Sequence, residues 1–181
     1  MKQYAGIGSR QTPADVLQVM TKVGQLLATD GFGLRTGACI GPDQDFANGA
    51  ATERGFITLL LPWGSYEAAW VRELHMTKAD IHVRPFNKAN DKEAIQSVKD
   101  FHPAFDKLKD TVVALHARNY LILMDGEEPV EFIICYTPGG VISGGTGQAL
   151  RLAESKGITV YNLGNPLTLA AFVSKIKARD L

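Results

Sequence analysis

"FIICYTPGGVISGGTGQALRLAESKGITVYNLG", residues 132–164, is the stretch on which the fold turns. FIICYT (132–137) reads as a buried strand. A glycine-rich loop follows from Pro138 to Gly147, with Gly144, Gly145 and Gly147 inside four residues. An amphipathic run then ends at Gly157, and ITVYNLG (158–164) is the next strand. Strand, helix and strand in this order make a parallel crossover, because parallel neighbours cannot be joined by a tight hairpin. Glycine costs backbone entropy, so the cluster needs a reason. It is either a tight turn into a helix or a turn on which something sits.

Outward from this unit the alternation continues. YAGIGS (4–9) is a strand running into a turn, and 12–31 is a helix. Thr12 is its candidate N-cap, Pro13 suits the first position, and Gly31 lies past the end. Val16, Met20, Val23 and Leu27 recur at three- and four-residue steps, so one face is buried. FGLRTG (32–37) is a short strand, 41–55 a helix with Pro42 near its start, and FITLLLPW (56–63) a strand apolar enough to be covered on both faces. The middle holds helical pieces around 66–79 and 91–101, with an extended link at 81–85. Residues 104–124 read as one long helix, and 167–179 as a closing amphipathic helix. Alternating strands and helices imply an α/β, Rossmann-like doubly wound parallel sheet with helices on both faces.

The 181 residues suit one domain, 1–181, with one sizeable core. Hydrophobic residues make up 45 % and charged residues 21 %, an ordinary globular balance. Net charge is zero, so a general polyelectrolyte affinity for nucleic acid is not supported. Cys39 and Cys135 stand far apart in apolar surroundings and read as buried free thiols in a reducing compartment. The first residues carry no secretory pattern and no apolar run is long enough to span a bilayer, so a cytoplasmic, membrane-free location is expected. His75, His82, His102 and His116 lack metal-ligand spacing, and no metal or resident cofactor is expected. No nucleophile-elbow pattern appears, Ser9 and Ser143 have no evident base, and no catalytic residue is assigned.

In a doubly wound sheet, ligands sit beyond the carboxyl ends of the strands. Here those ends carry Gly6-Ile7-Gly8-Ser9-Arg10, Arg35-Thr36-Gly37-Ala38, Pro62-Trp63-Gly64 and the loop 138–147. All are small, polar or cationic, and all are expected on one edge. Helix N-termini after Gly41 and Gly147 offer unpaired N–H groups and partial positive charge, and glycine lets a phosphate approach them. Arg10, Arg35 and Arg118 are candidate guanidinium donors to its oxygens. Asp43 and Asp45 either complement a helix dipole or contact a ribose or metal. Trp63 either packs half-buried or stacks on a base. Arg35 stands where a dinucleotide enzyme would want an acidic residue, which speaks against a standard NAD site. Lys99, Lys107 and Lys109 read as a solvated helix face, with a nucleic-acid track as the alternative.

GIGSRQTP (6–13), LRTGACIGPDQDFANGA (34–50), LLLPW (59–63), HARN (116–119) and GGTGQALRLA (144–153) occur in this order. Together they resemble the SMF/LOG (SLOG) superfamily of Rossmann-like domains, most closely the small phage and bacterial proteins similar to DNA-processing protein A, the DNA recombination mediator. The resemblance covers nearly the whole chain apart from its middle. It implies a nucleotide or nucleic-acid pocket walled by Gly6, Gly8, Ser9 and Arg10, then by Arg35, Thr36, Gly37 and Ala38 with Asp43 and Asp45 behind. Arg118 and Asn119 would reach in from the long helix, and Gly144, Gly145, Thr146 and Gly147 would cradle a phosphate. Relatives of this kind include binders of nucleotide-derived signals, single-stranded DNA-binding recombination mediators, and N-glycosidases of cytokinin nucleotides with a PGGxGTxxE motif. Aligned on its glycines, that motif meets Ser143 for proline, Gln148 for threonine and Arg151 for the catalytic glutamate. Arginine cannot stabilise an oxocarbenium-like centre or activate water, so binding of a nucleotide-like small molecule is the preferred expectation. Related domains pair through helices, which makes a homo-oligomer compatible with the resemblance.

Overall fold

β1 (Gln3–Gly8) and β5 (Phe132–Tyr136) lie side by side at the centre of one parallel sheet. The computed structural model describes residues 1–125 and 128–179. Among them, β2 (Gly33–Thr36), β3 (Phe56–Leu61), β4 (Asp80–Pro85) and β6 (Thr159–Asn162) complete the strand order β4-β3-β2-β1-β5-β6. The helices are α1 (Ala14–Thr29), α2 (Pro42–Thr52), α3 (Ala68–His75), α4 (Lys92–Phe101), α5 (Asp110–Met124), α6 (Gly144–Ser155) and α7 (Pro166–Arg179). This is the expected α/β, Rossmann-like parallel architecture. No helix of the described residues is long and apolar enough to cross a membrane.

Both faces of the sheet are covered, as the apolar strands require. In β1 the side chains alternate: Tyr4 joins one core layer, while Ala5 and Ile7 join the other. The first layer buries Val16 and Met20 of α1 and Phe46, Ala47 and Ala50 of α2. The second buries Ala94 and Val98 of α4, Ala117 and Leu121 of α5, and Ala149, Leu150 and Leu152 of α6. The α1–α2 crossing is unusually close. A Cβ at Gly49 would strike the Thr21 carbonyl, and one at Gly24 the Phe46 carbonyl. Glycine at these two positions sets the distance between the helices.

Three expectations need correction. Residues 104–124 are not one helix: a 3-10 turn at Phe105–Lys107 and an extended Leu108 precede α5. Phe105, Leu108 and Val112 keep helical spacing across the break, so periodicity passes over it. The link at 81–85 is the edge strand β4, paired with β3 along its length and closing at Pro85, where a missing donor is tolerated. The helix of the glycine-rich stretch starts at Gly144, so the glycines form its first turn.

Candidate functional site

β1 has β2 on one side and β5 on the other, so the connections leaving β1 and β5 part company there. Such a switch point opens a crevice at the strand carboxyl ends. The last sheet contact is Gly8 against Tyr136, extended by Ser9 N–H donating to the Tyr136 carbonyl at 3.0 Å. Immediately beyond lies a cavity of about 570 Å³. Its walls are Ile7 and Gly8 at the end of β1 with Ser9, Arg10 and Gln11 after it, Cys39 and Asp43 after β2, Val112, Leu115, His116, Arg118 and Asn119 of α5, and Pro138 with Ser143–Thr146 after β5.

Glycines of β1 bring α2 to this rim. A Cβ at Gly6 would meet the Phe46 ring at 2.6 Å, and one at Gly8 would meet Pro42 at 2.7 Å. Thr36 Oγ1 donates to the Gly6 carbonyl at 2.6 Å and fixes the end of β2 against β1. The loop that follows has Ala38 at φ 63 and Gly41 at φ 98, conformations held by the structure around them. Its brace is Asp43, whose Oδ2 accepts from Cys39 N–H at 3.3 Å.

Arg118 Nη1 donates to the same Asp43 Oδ2 at 3.0 Å, and both side chains are at least nine-tenths buried. Nη2 reaches Cys39 Sγ at 3.4 Å. Burial pushes the Asp43 carboxyl above its ordinary value, against the pull of Arg118 and of the Cys39 and Gly37 N–H groups. Burial also opposes the Arg118 charge, but Asp43 and Cys39 outweigh it and raise its pKa. The guanidinium fits because residue 37 has no side chain: a Cβ there would coincide with Nη1. Arg118 Nε is buried without a partner.

Cys39 Sγ is 3.0 Å from the Tyr66 hydroxyl. Burial first, then Cys39, pushes Tyr66 up to about 12, so the phenol stays protonated at neutral pH. Arg10 is exposed, and Cys39 first and Tyr66 next favour its charge. Opposite, α6 starts with Ser143 as N-cap and no side-chain cap. Its first-turn N–H groups therefore face the cavity with the positive end of the helix dipole. Asn119 Nδ2 ties that turn to α5 by donating to the Gly145 carbonyl and to Gln148 Oε1, both at 3.2 Å. His116 lines the wall between them with its Nδ1 unpartnered. Burial, then His102, Arg118 and Arg151, pushes His116 down to about 4.

The geometry gathers Gly8, Ser9, Arg10, Asp43, Arg118, Asn119, Gly144, Gly145 and Thr146 around one hollow. It places the other expected residues elsewhere. Arg35 faces the opposite end of the sheet, where Nε donates to Gln3 Oε1 at 2.7 Å and Nη2 to the Glu128 carbonyl at 3.3 Å. Its register beside Ala5 leaves it short of Gly8, where β1 reaches the cavity. Asp45 accepts from Thr21 Oγ1 at 3.0 Å in the α1–α2 crossing. Trp63 packs edge-on against Tyr66, ring centroids 5.2 Å apart, behind the wall. Gly6, Thr36, Gly37 and Ala38 support the wall from beneath, and Gly147 backs onto Ile142. Among the described residues no group of three or more His, Cys, Asp or Glu is placed to hold a metal ion.

No protein-family model matches the chain, and no curated protein matches it. Solved structures do. The molybdenum cofactor carrier protein of Chlamydomonas reinhardtii aligns with a TM-score of 0.52 and 19% identity over 96% of this chain and 84% of that one. DNA processing protein A of Helicobacter pylori, described for its single-stranded DNA binding mode, aligns with a TM-score of 0.52 and 12% identity over 89% of this chain and 64% of that one. The likeness shows the fold, a Rossmann-like parallel sheet with helices on both faces. At these identities the likeness concerns architecture alone.

Within this site, sequence reasoning missed Cys39, Tyr66 and His116. Cys39 was expected to be a buried bystander, yet it lies in the loop after β2, one residue beyond a stretch already singled out by its place at a strand end. His116 opens the HARN motif, one helical step from Asn119. Tyr66 carried no signal, because its approach to Cys39 depends on where α3 packs.

Proposed function

We propose that this chain binds a small, phosphate-bearing, nucleotide-like molecule in the strand-end cavity and holds it without cleaving it. The observation that carries this is the convergence of Arg10, Arg118 and the uncapped α6 N-terminus on one hollow from three distant parts of the chain. A volume of about 570 Å³ suits a small ligand. Guanidinium and helix N-terminal N–H groups are the donors that phosphate oxygens accept best. Ile7, Val112 and Leu115 line the hollow and supply apolar surface for a base or comparable ring. The structural neighbours include a cofactor carrier and a single-stranded DNA-binding protein at the same TM-score, so the preference for a small guest rests on the cavity.

Binding is preferred to glycosidic cleavage because Asp43 is the one carboxylate among the described lining residues, and Arg118 holds it. Glu154 is exposed on α6 outside the cavity, and Arg151 Nε donates to the Phe101 carbonyl at 3.0 Å. Among the described lining residues no carboxylate is left free to stabilise an oxocarbenium-like centre.

The test is a thermal-shift panel of nucleoside mono-, di- and triphosphates on the intact protein and on Arg10→Ala. Arg10 is exposed, so its loss leaves folding intact. At a hundredfold excess over Kd a ligand adds about 2.7 kcal/mol of stability. A rise in Tm with a member of the panel, lost in Arg10→Ala, supports the reading. No rise with any member sinks it, and release of free base would replace binding by catalysis.

A further inference from the structure

We propose that anion binding in this cavity is coupled to uptake of a proton by His116, which turns from a neutral wall residue into a cationic contact of the bound guest. This rests on the anion-binding reading above.

The ring stands where positive charge is concentrated. A Cβ at Gly145 would lie 3.9 Å from His116 Cε1, so the imidazole sits against the uncapped first turn of α6. His102, at the end of α4, stacks obliquely on it with centroids 4.8 Å apart. Arg118 from its own helix and Arg151 from α6 also act on it. The carboxylate bordering the cavity, Asp43, is engaged by Arg118. His116 Nδ1 is buried with no partner. Burial first, and then these neighbours, push the ring down to about 4 and favour its neutral form.

A dianion placed among Arg10, Arg118 and the α6 N-terminus reverses the sign of that field. It also offers the ring an acceptor, and a hydrogen bond to the charged form favours that form. By linkage, a guest that raises the affinity of His116 for a proton binds more tightly as pH falls toward the bound-state value. His102 does not duplicate the role. Its Nδ1 accepts from the Ala104 N–H at 3.2 Å, so that atom is already used in holding the turn after α4.

Sulfate is the probe, because it stays doubly charged throughout the range in which histidine titrates. Its dissociation constant is measured on the intact protein from about pH 5 to pH 8, alongside NMR titration of the His116 ring with and without saturating sulfate. The expected result is affinity about tenfold tighter at the acid end, with the His116 midpoint rising toward about 6 when sulfate is bound. His116→Gln flattens the pH dependence to the weaker, alkaline value, while His102→Gln keeps it. Sulfate binding with a pH-independent constant, or an unmoved His116 midpoint, overturns the proton coupling and leaves the binding site standing. Absence of sulfate binding at every pH overturns both.

Discussion

Arg118 closes a buried ion pair whose removal from one side exposes the other. With Arg118→Ala the Asp43 carboxylate is left alone among groups that are almost wholly buried, at a cost of about 3 to 5 kcal/mol. Urea denaturation checks this. Adding Asp43→Asn recovers much of the loss without restoring ligand binding. Thiol chemistry separates the two cysteines. Cys135 is wholly buried with its pKa pushed up to about 12 by desolvation, whereas Cys39 is partly exposed on the cavity wall. Iodoacetamide under native conditions is expected to add one group, at Cys39, and a bound nucleotide should slow it, both read by peptide mass spectrometry. His116 adds a pH signature. Its folded pKa of about 4 lies below the unfolded value, so the unfolded chain gains its proton first as pH falls. The associated stability is complete above about pH 6.5 and is lost toward pH 4, by about 1 to 2 kcal/mol once solvent screening of a half-buried ring is allowed for. The urea midpoint of His116→Gln should therefore drop less between neutral and acid pH than that of the parent.

At the scale of elements, α6 carries the clearest trade between stability and binding. Ser143→Asp places a charged cap on a helix start that lacks one, worth about 0.3 to 1 kcal/mol in stability. The same charge repels an anionic guest, so Tm should rise while the nucleotide-induced shift disappears. The α1–α2 crossing yields the opposite case. Gly49→Ala drives a methyl group into the Thr21 carbonyl and should cost at least about 1 to 3 kcal/mol by chemical denaturation, with no change in site chemistry. Much of this architecture was legible in the sequence, for identifiable reasons. β3 and β5 announced themselves as apolar runs, and α1 by the spacing of Val16, Met20 and Val23. The entry to α5 was not legible, because Phe105 and Leu108 keep a helical rhythm through a 3-10 turn. Gly144 to Gly147 were legible as special, but not as the first turn of α6, since glycine carries no side chain to report phase. Arg35 was misplaced because its height in the sheet and the partners at Gln3 and Glu128 that draw it away from the strand ends depend on register, which the sequence does not state.

The whole molecule carries no net charge, so whatever attracts an anion is local. Affinity for a nucleoside monophosphate should fall less than about tenfold between roughly 50 and 200 mM salt, whereas a protein contacting six to ten DNA phosphates loses about a thousandfold or more. Fluorescence titration with the nucleotide and with an oligothymidine at several salt concentrations distinguishes the two. The cavity also has an unusual ancestry within the chain. Ser9, Arg10, Cys39 and Asp43 belong to the part that builds β1 to β4, while Arg118, Asn119 and Gly145 belong to the part that supplies β5 and β6. A guest held between them is a rivet through a seam. Its effect in amide hydrogen exchange should therefore appear as slowed exchange along the whole of β1 and β5 together, beyond the strand ends that border it, because neither half can open without letting it go.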